Sequence, residues 1–211
     1  TNYVAKWTSS SSHKLDVSFL NPHINDGPWS LGLGGGYEAQ EAQYASGIEI
    51  PEKRYEGNIS LGRSLFELIR INITFKHLTI KQEKPTYFFE GYESDGAQNS
   101  LTLGLSRNDV DNYIDPTEGI SMSAFHKWVG GFLQGKHHYM ETTGEITAYQ
   151  PFEPIESMKT YFKVRGFLGF LWKDKNHFIP ETQRYRLGGY DDLRGYAFWE
   201  VSPAERRGRS P

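Results

Sequence analysis

Ile69-Arg70-Ile71-Asn72-Ile73-Thr74-Phe75-Lys76 alternates apolar and polar side chains without a break. Successive residues of an extended chain point to opposite faces, so this stretch reads as a strand with one apolar and one wet face. The same period-two pattern extends in both directions. Leu15, Val17 and Phe19 alternate with Lys14, Asp16 and Ser18, and Leu101, Leu103 and Leu105 with Thr102, Gly104 and Ser106. Phe162, Val164, Leu168, Phe170 and Trp172 share a face opposite Lys163 and Arg165. Helical periodicity is weak throughout. The chain is all-β.

The template marks about nine strands, near residues 2–8, 14–22, 29–39, 54–66, 69–82, 99–110, 120–130, 138–149 and 159–172. Many exceed the about five or six residues usual in soluble sheets and reach the about 9–11 that a tilted membrane strand needs. Short connections are expected at 22–28, 65–68, 111–119 and 150–157. They alternate with longer ones at 38–53, 81–98, 129–137 and everything after 173, and 9–13 is short out of turn. Outer-membrane barrels place short turns in the periplasm and long loops outside. A soluble sandwich or lipocalin-like barrel has less reason for such one-sidedness. The pattern therefore predicts a transmembrane antiparallel β-barrel.

Composition agrees. The 211 residues suffice for one sizeable β domain, and aromatics make up 15% of them. No stretch approaches the roughly 18 apolar residues of a membrane helix. A mean hydropathy of −0.62 is compatible with a barrel, in which only alternate strand residues meet lipid. Lys and Arg total 23 against 26 Asp and Glu, a net charge of −3 that gives no reason to expect nucleic acid as a partner. With no cysteine there is neither a disulfide framework nor a thiolate metal site. The opening Thr1-Asn2-Tyr3-Val4 is unlike a signal peptide, which suggests a mature or excised segment.

No stretch carries the chemistry of an active site. Leu31-Gly32-Leu33-Gly34-Gly35-Gly36 lacks the Gly-Lys-Ser/Thr ending and the following helix of a phosphate loop, and reads as glycines in a strand facing a crowded lumen. Asp109, Asp111 and Asp115 miss the calcium-loop template, because Ile114 and Ile120 stand where its sharp turn and bidentate ligand belong. Asp115-Pro116-Thr117-Glu118-Gly119 supplies turn chemistry instead. His137 and His138, adjacent in a strand-like segment, point apart and make a poor metal pair. Glu141 and Glu145 share a face as part of a solvated wall. No cofactor, metal or catalytic residue is expected, and the chain reads as a non-enzyme.

The most specific segment is Leu187-Gly188-Gly189 followed by Leu193-Arg194-Gly195-Tyr196. The glycines permit tight bends, and an arginine on such a tip suits bidentate pairing with a carboxylate. An ordinary Gly-rich surface loop is the plain alternative. This segment resembles the sixth extracellular loop of the BamA-like superfamily, with its Val/Leu-Arg-Gly-Phe/Tyr tip after a Gly-Gly element. Other stretches fall in the family's order: LDVSFLNP at 15–22 resembles a strand ending in an Asn-Pro turn. NDVDNYIDPTEG at 108–119 resembles the D-x-x-x-x-P-x-x-G strand end, and 159–172 sits where the strand entering the sixth loop belongs.

The resemblance implies a bacterial outer-membrane barrel of sixteen-strand type. Residues 1–211 then form a single partial barrel: its third to eleventh strands and the sixth loop. The POTRA domains, the first two strands and the C-terminal strands are expected to lie outside this sequence. In the family the loop folds into the lumen and its arginine pairs with carboxylates on later strands. Arg194 is the expected brace, with Leu193, Gly195, Tyr196, Gly188 and Gly189 shaping the tip. The implied function is assembly and insertion of other β-barrel proteins. The alternatives are a two-partner secretion channel, a patatin-type autotransporter barrel or, from pattern alone, a soluble β-barrel binding protein. Implied partners are outer-membrane lipids, nascent outer-membrane or secreted clients, and periplasmic accessory lipoproteins.

Overall fold

Nine strands follow one another as neighbours in a single antiparallel sheet, in the computed structural model of the chain. They are β1 (Asn2–Ser9), β2 (His13–Asn21), β3 (Trp29–Gln43), β4 (Glu49–Leu65), β5 (Ile69–Gln82), β6 (Gly96–Val110), β7 (Gly119–Val129), β8 (Tyr139–Pro151) and β9 (Tyr161–Lys173). The structure describes residues 2–9, 13–43, 49–66, 68–83, 95–152, 160–173, 177, 179–180 and 183–185, with side chains from His13 onward except at 42, 43 and 49. β1 and β9 are the two edges, so the sheet is the wall of a partial barrel.

All nine expected strands are present, and the differences lie at their ends. The connection expected over 38–53 is mostly strand, because β3 and β4 pair on to Gln43 and Glu49. Charged side chains and Pro51 hid that extension. Yet Pro51 still offers its carbonyl, which accepts from the Glu83 amide at 3.1 Å. β6 likewise starts earlier, at Gly96, and β8 and β9 run on to Pro151 and Lys173. The contrast between short and long connections is therefore weaker than the sequence suggests, and 83–95 is the clear long one. His137 and His138 precede β8 and lie in a turn, not in a strand.

The turns at the opposite end are built by their own residues. Between β6 and β7, Asp111 accepts from the Thr117 hydroxyl at 2.7 Å and from the amides of Thr117 and Glu118 at 2.9 and 3.1 Å. Gly119 closes the turn at φ +107°, where an added Cβ would collide with the Asp109 carbonyl. The D-x-x-x-x-P-x-x-G spacing is thus a hairpin lock. The 66–68 turn closes at Phe66 with φ +58°, its ring exposed.

Burial is inverted relative to a water-soluble domain. Leu103, Leu105, Ile59, Ile73, Ile146, Phe170 and Val164 stand exposed, Val164 by 68%. Glu52, Gln98, Ser100 and Thr147, on the opposite face, are buried, Glu52 to 1%. A bare apolar face this broad on a soluble domain would drive association; facing hydrocarbon it is the stable arrangement. Aromatics mark both margins of the apolar band. Tyr37 and Tyr55 meet at 5.1 Å and Phe170 stacks on Trp172 at 5.8 Å, while Trp29 lies under Arg63 at 5.0 Å near the other end. Polar side chains on this face bond one another within the sheet: His126 with Thr142 at 2.6 Å beside Trp128, and His77 with Asn99 at 2.6 Å.

Candidate functional site on the lumen-facing wall

The polar face is held by charge pairs, three of them across strands and one, Arg54–Glu52, along β4. Lys76 pairs with Glu56, Arg54 with buried Glu52 at 2.9 Å, Lys127 with Glu141 at 3.6 Å and Arg165 with Glu145 at 2.8 Å. Gln82 adds a bond to Glu52 at 3.2 Å. Such pairs suit a wet lumen, where water or further donors reach them. Room for them comes partly from glycine. A Cβ on Gly34 would lie 2.7 Å from the Asn58 amide, and one on Gly36 2.7 Å from an Asp16 oxygen. Gly32 abuts Ser60 in the same way. The glycines of 31–36 sit where a crowded lumen requires them.

Beyond β9, residues 177, 179–180 and 183–185 lie against this polar face, over β8 and β9. His177 stacks on His138 at 4.2 Å. Ile179 is buried with Val129 and Tyr139, with Leu171 packed against them. Further along, the Tyr139 hydroxyl donates to Gln183 Oε1 at 3.2 Å. Tyr185 Oη then donates to Glu141 Oε1 at 2.8 Å, and its ring meets Phe167 edge-on at 5.9 Å. That ring occupies the space over Gly169, where a Cβ would come within 2.6 Å of it. Tyr139, Glu141, Gly169 and Phe167 are successively farther from the rim of the sheet, as the pairing of β8 with β9 requires. The segment therefore descends the inner wall, anchored first by apolar burial and then by a charge-assisted hydrogen bond.

Arg194, with Leu193, Gly195, Tyr196, Gly188 and Gly189, lies outside the described residues. The last described residues before them, 183–185, lie on the lumen wall. Sequence reading paired Glu141 with Glu145 on one face, which the register bears out. It missed that Glu141 serves two partners, Lys127 and Tyr185. The one available signal was Gly169, a glycine at an inward position of a strand otherwise rich in large residues.

An apolar face bared outward and a polar face turned inward, with residues after β9 laid against it, define the wall of a transmembrane β-barrel. The model of the Omp85 superfamily domain matches residues 3–209, and the chain belongs to that superfamily of bacterial outer-membrane barrels. It is similar to the outer membrane protein assembly factor BamA of Nitratidesulfovibrio vulgaris, with 23% identity over 205 residues, 93% of this chain and 24% of the relative. Its fold matches BamA from Haemophilus ducreyi lacking POTRA domains 1–3, at a TM-score of 0.76 and 20% identity over 92% of this chain and 39% of that one. The chain thus spans about a quarter of the length of the curated relative it matches. The soluble binding-protein alternative gives way to the inverted burial and the family match.

Proposed function

We propose that this chain is wall and infolded loop of an outer-membrane factor that inserts other β-barrel proteins, a mechanical rather than a chemical role. The observation that supports it most directly is the descent of 177–185 along the lumen wall, pinned by Ile179 and by Tyr185 on Glu141. A loop held this way delivers the Leu193-Arg194-Gly195-Tyr196 tip to the barrel interior. There Arg194 would clamp carboxylates of other strands with its planar fork of donors and brace the wall while clients pair at the barrel seam. Clients are unfolded outer-membrane proteins, with periplasmic accessory lipoproteins as helpers.

The test is depletion of the full-length protein in its own host, with heat-modifiable porins in the outer membrane as readout. Insertion predicts that folded porins fall broadly, and that a copy with Arg194→Ala restores them only in part. Unchanged porins with loss of a single exported protein would replace insertion by dedicated secretion.

A further inference from the structure

The lipid-facing surface of β7, β8 and β9 is not a uniform apolar fence. Four of its outward positions are small, and three of them, Ala124, Gly144 and Gly166, line one groove. Ala124 lies opposite Gly144, and Gly166 opposite Ile146 on the next strand pair. The result is a groove of about 550 Å³ floored by backbone and walled by Leu105, Met122, Ile146 and Leu168. No neighbour demands the smallness of Gly144. A Cβ there would meet nothing within 4 Å, unlike Gly34 or Gly36, which crowd against side chains of the lumen. Glycine weakens a strand and often marks close approach of something else.

The groove has a charged end. Arg107 lines it at the turn-bearing, periplasmic side, directly opposite Met122 in the β6–β7 register. Its Nη2 donates to Asp109 at 3.1 Å, and both side chains are 52% exposed, so the rest of the guanidinium fork is open to a further acceptor. Arginine stems lie along apolar surface while their heads reach the interface, and the fork matches phosphate bidentately. From β6 to β9 the groove crosses three strand spacings, roughly 14 Å, well within the length of one acyl chain.

We propose that this groove holds one acyl chain of a diacyl glycerophospholipid of the periplasmic leaflet, with the lipid phosphate paired to Arg107. The occupant is apolar because the groove lies inside the hydrocarbon band, and anionic at one end because Arg107 is the cation there.

The test uses the full-length protein, delipidated in mild detergent and titrated with palmitoyl-oleoyl phosphatidylglycerol under native mass spectrometry. Wild-type protein should retain one lipid more firmly than the rest. Gly144→Leu, which fills the groove, and Arg107→Gln should each weaken that retention by about fivefold or more. Gly57→Leu is the matched control: Gly57 faces outward on β4 and also has open space above it, so retention should not change. Equal retention in Gly144→Leu and wild type would overturn the proposal. If Gly144→Leu does not fold, judged by its heat-dependent gel shift, a photo-crosslinker at Ala124 decides. A phospholipid adduct supports the proposal, and an adduct to protein overturns it.

Discussion

Tyr185 is the residue on which the position of the loop turns. Its hydroxyl reaches Glu141 and its ring covers Gly169. A hydrogen bond to a charged acceptor contributes about 1.5–3 kcal/mol when sheltered and less where water competes. Tyr185→Phe is therefore expected to loosen the segment by about 1 kcal/mol, and Glu141→Gln to add little on top of it. Protease cleavage between 177 and 185, compared in both single variants and the double, checks this. Gly169→Ile should expose the same sites more strongly, because its side chain takes the space of the Tyr185 ring. Asp111 makes a separate prediction for the periplasmic turn. Hydrogen bonds from Thr117, first its hydroxyl, and from the amides around it hold the Asp111 carboxyl at about 2 against an ordinary 3.8. A lowered carboxyl contributes stability above its unfolded value and loses it as pH falls through the folded one. Asp111→Asn should thus weaken the turn at neutral pH, and its difference from wild type should vanish between about pH 4 and pH 2. Amide exchange at Thr117 and Glu118 reads it.

At the scale of the strand, alternation separates two classes of substitution on neighbouring residues. Leu103 faces lipid and Thr102 the lumen. Leu103→Arg should cost about 2–4 kcal/mol of folding stability in bilayers, whereas Thr102→Arg should cost far less because water already wets that face. Denaturant unfolding from lipid vesicles measures both. The same alternation is why the strands were legible in the sequence: 69–76 states its two faces residue by residue. Strand ends were less legible. Glu41, Glu52 and Pro51 signal a loop by composition, but charged residues of the polar face are accommodated in strands by their partners, as Glu52 is by Arg54 on its own strand and Gln82 on the next. The anchoring of 177–185 was not legible either. It depends on which residue of a later segment meets Glu141 and Gly169, and no local pattern encodes that.

For the whole molecule, the sheet has two edges, β1 and β9, and in hydrocarbon unpaired backbone groups cost several kcal/mol each. The described strands are accordingly stable in a membrane only with further strands on those edges. What fixes their orientation in the membrane is the opposition of faces: exposed Ile, Leu, Phe and Val outside, and within a face of Glu, Gln, Ser and Thr that holds a few buried apolar residues such as Ile80 and Val129. The sequence has no cysteine, so single-cysteine variants of the full-length protein carry a spin label at one defined place. Labels at 100 to 106 along β6, read by collision with oxygen and with a water-soluble nickel complex, test the account most directly. Oxygen accessibility should peak at 101, 103 and 105 and nickel accessibility at 100, 102, 104 and 106, out of phase. Both rising and falling together, or no period of two, would contradict a lipid-facing barrel wall.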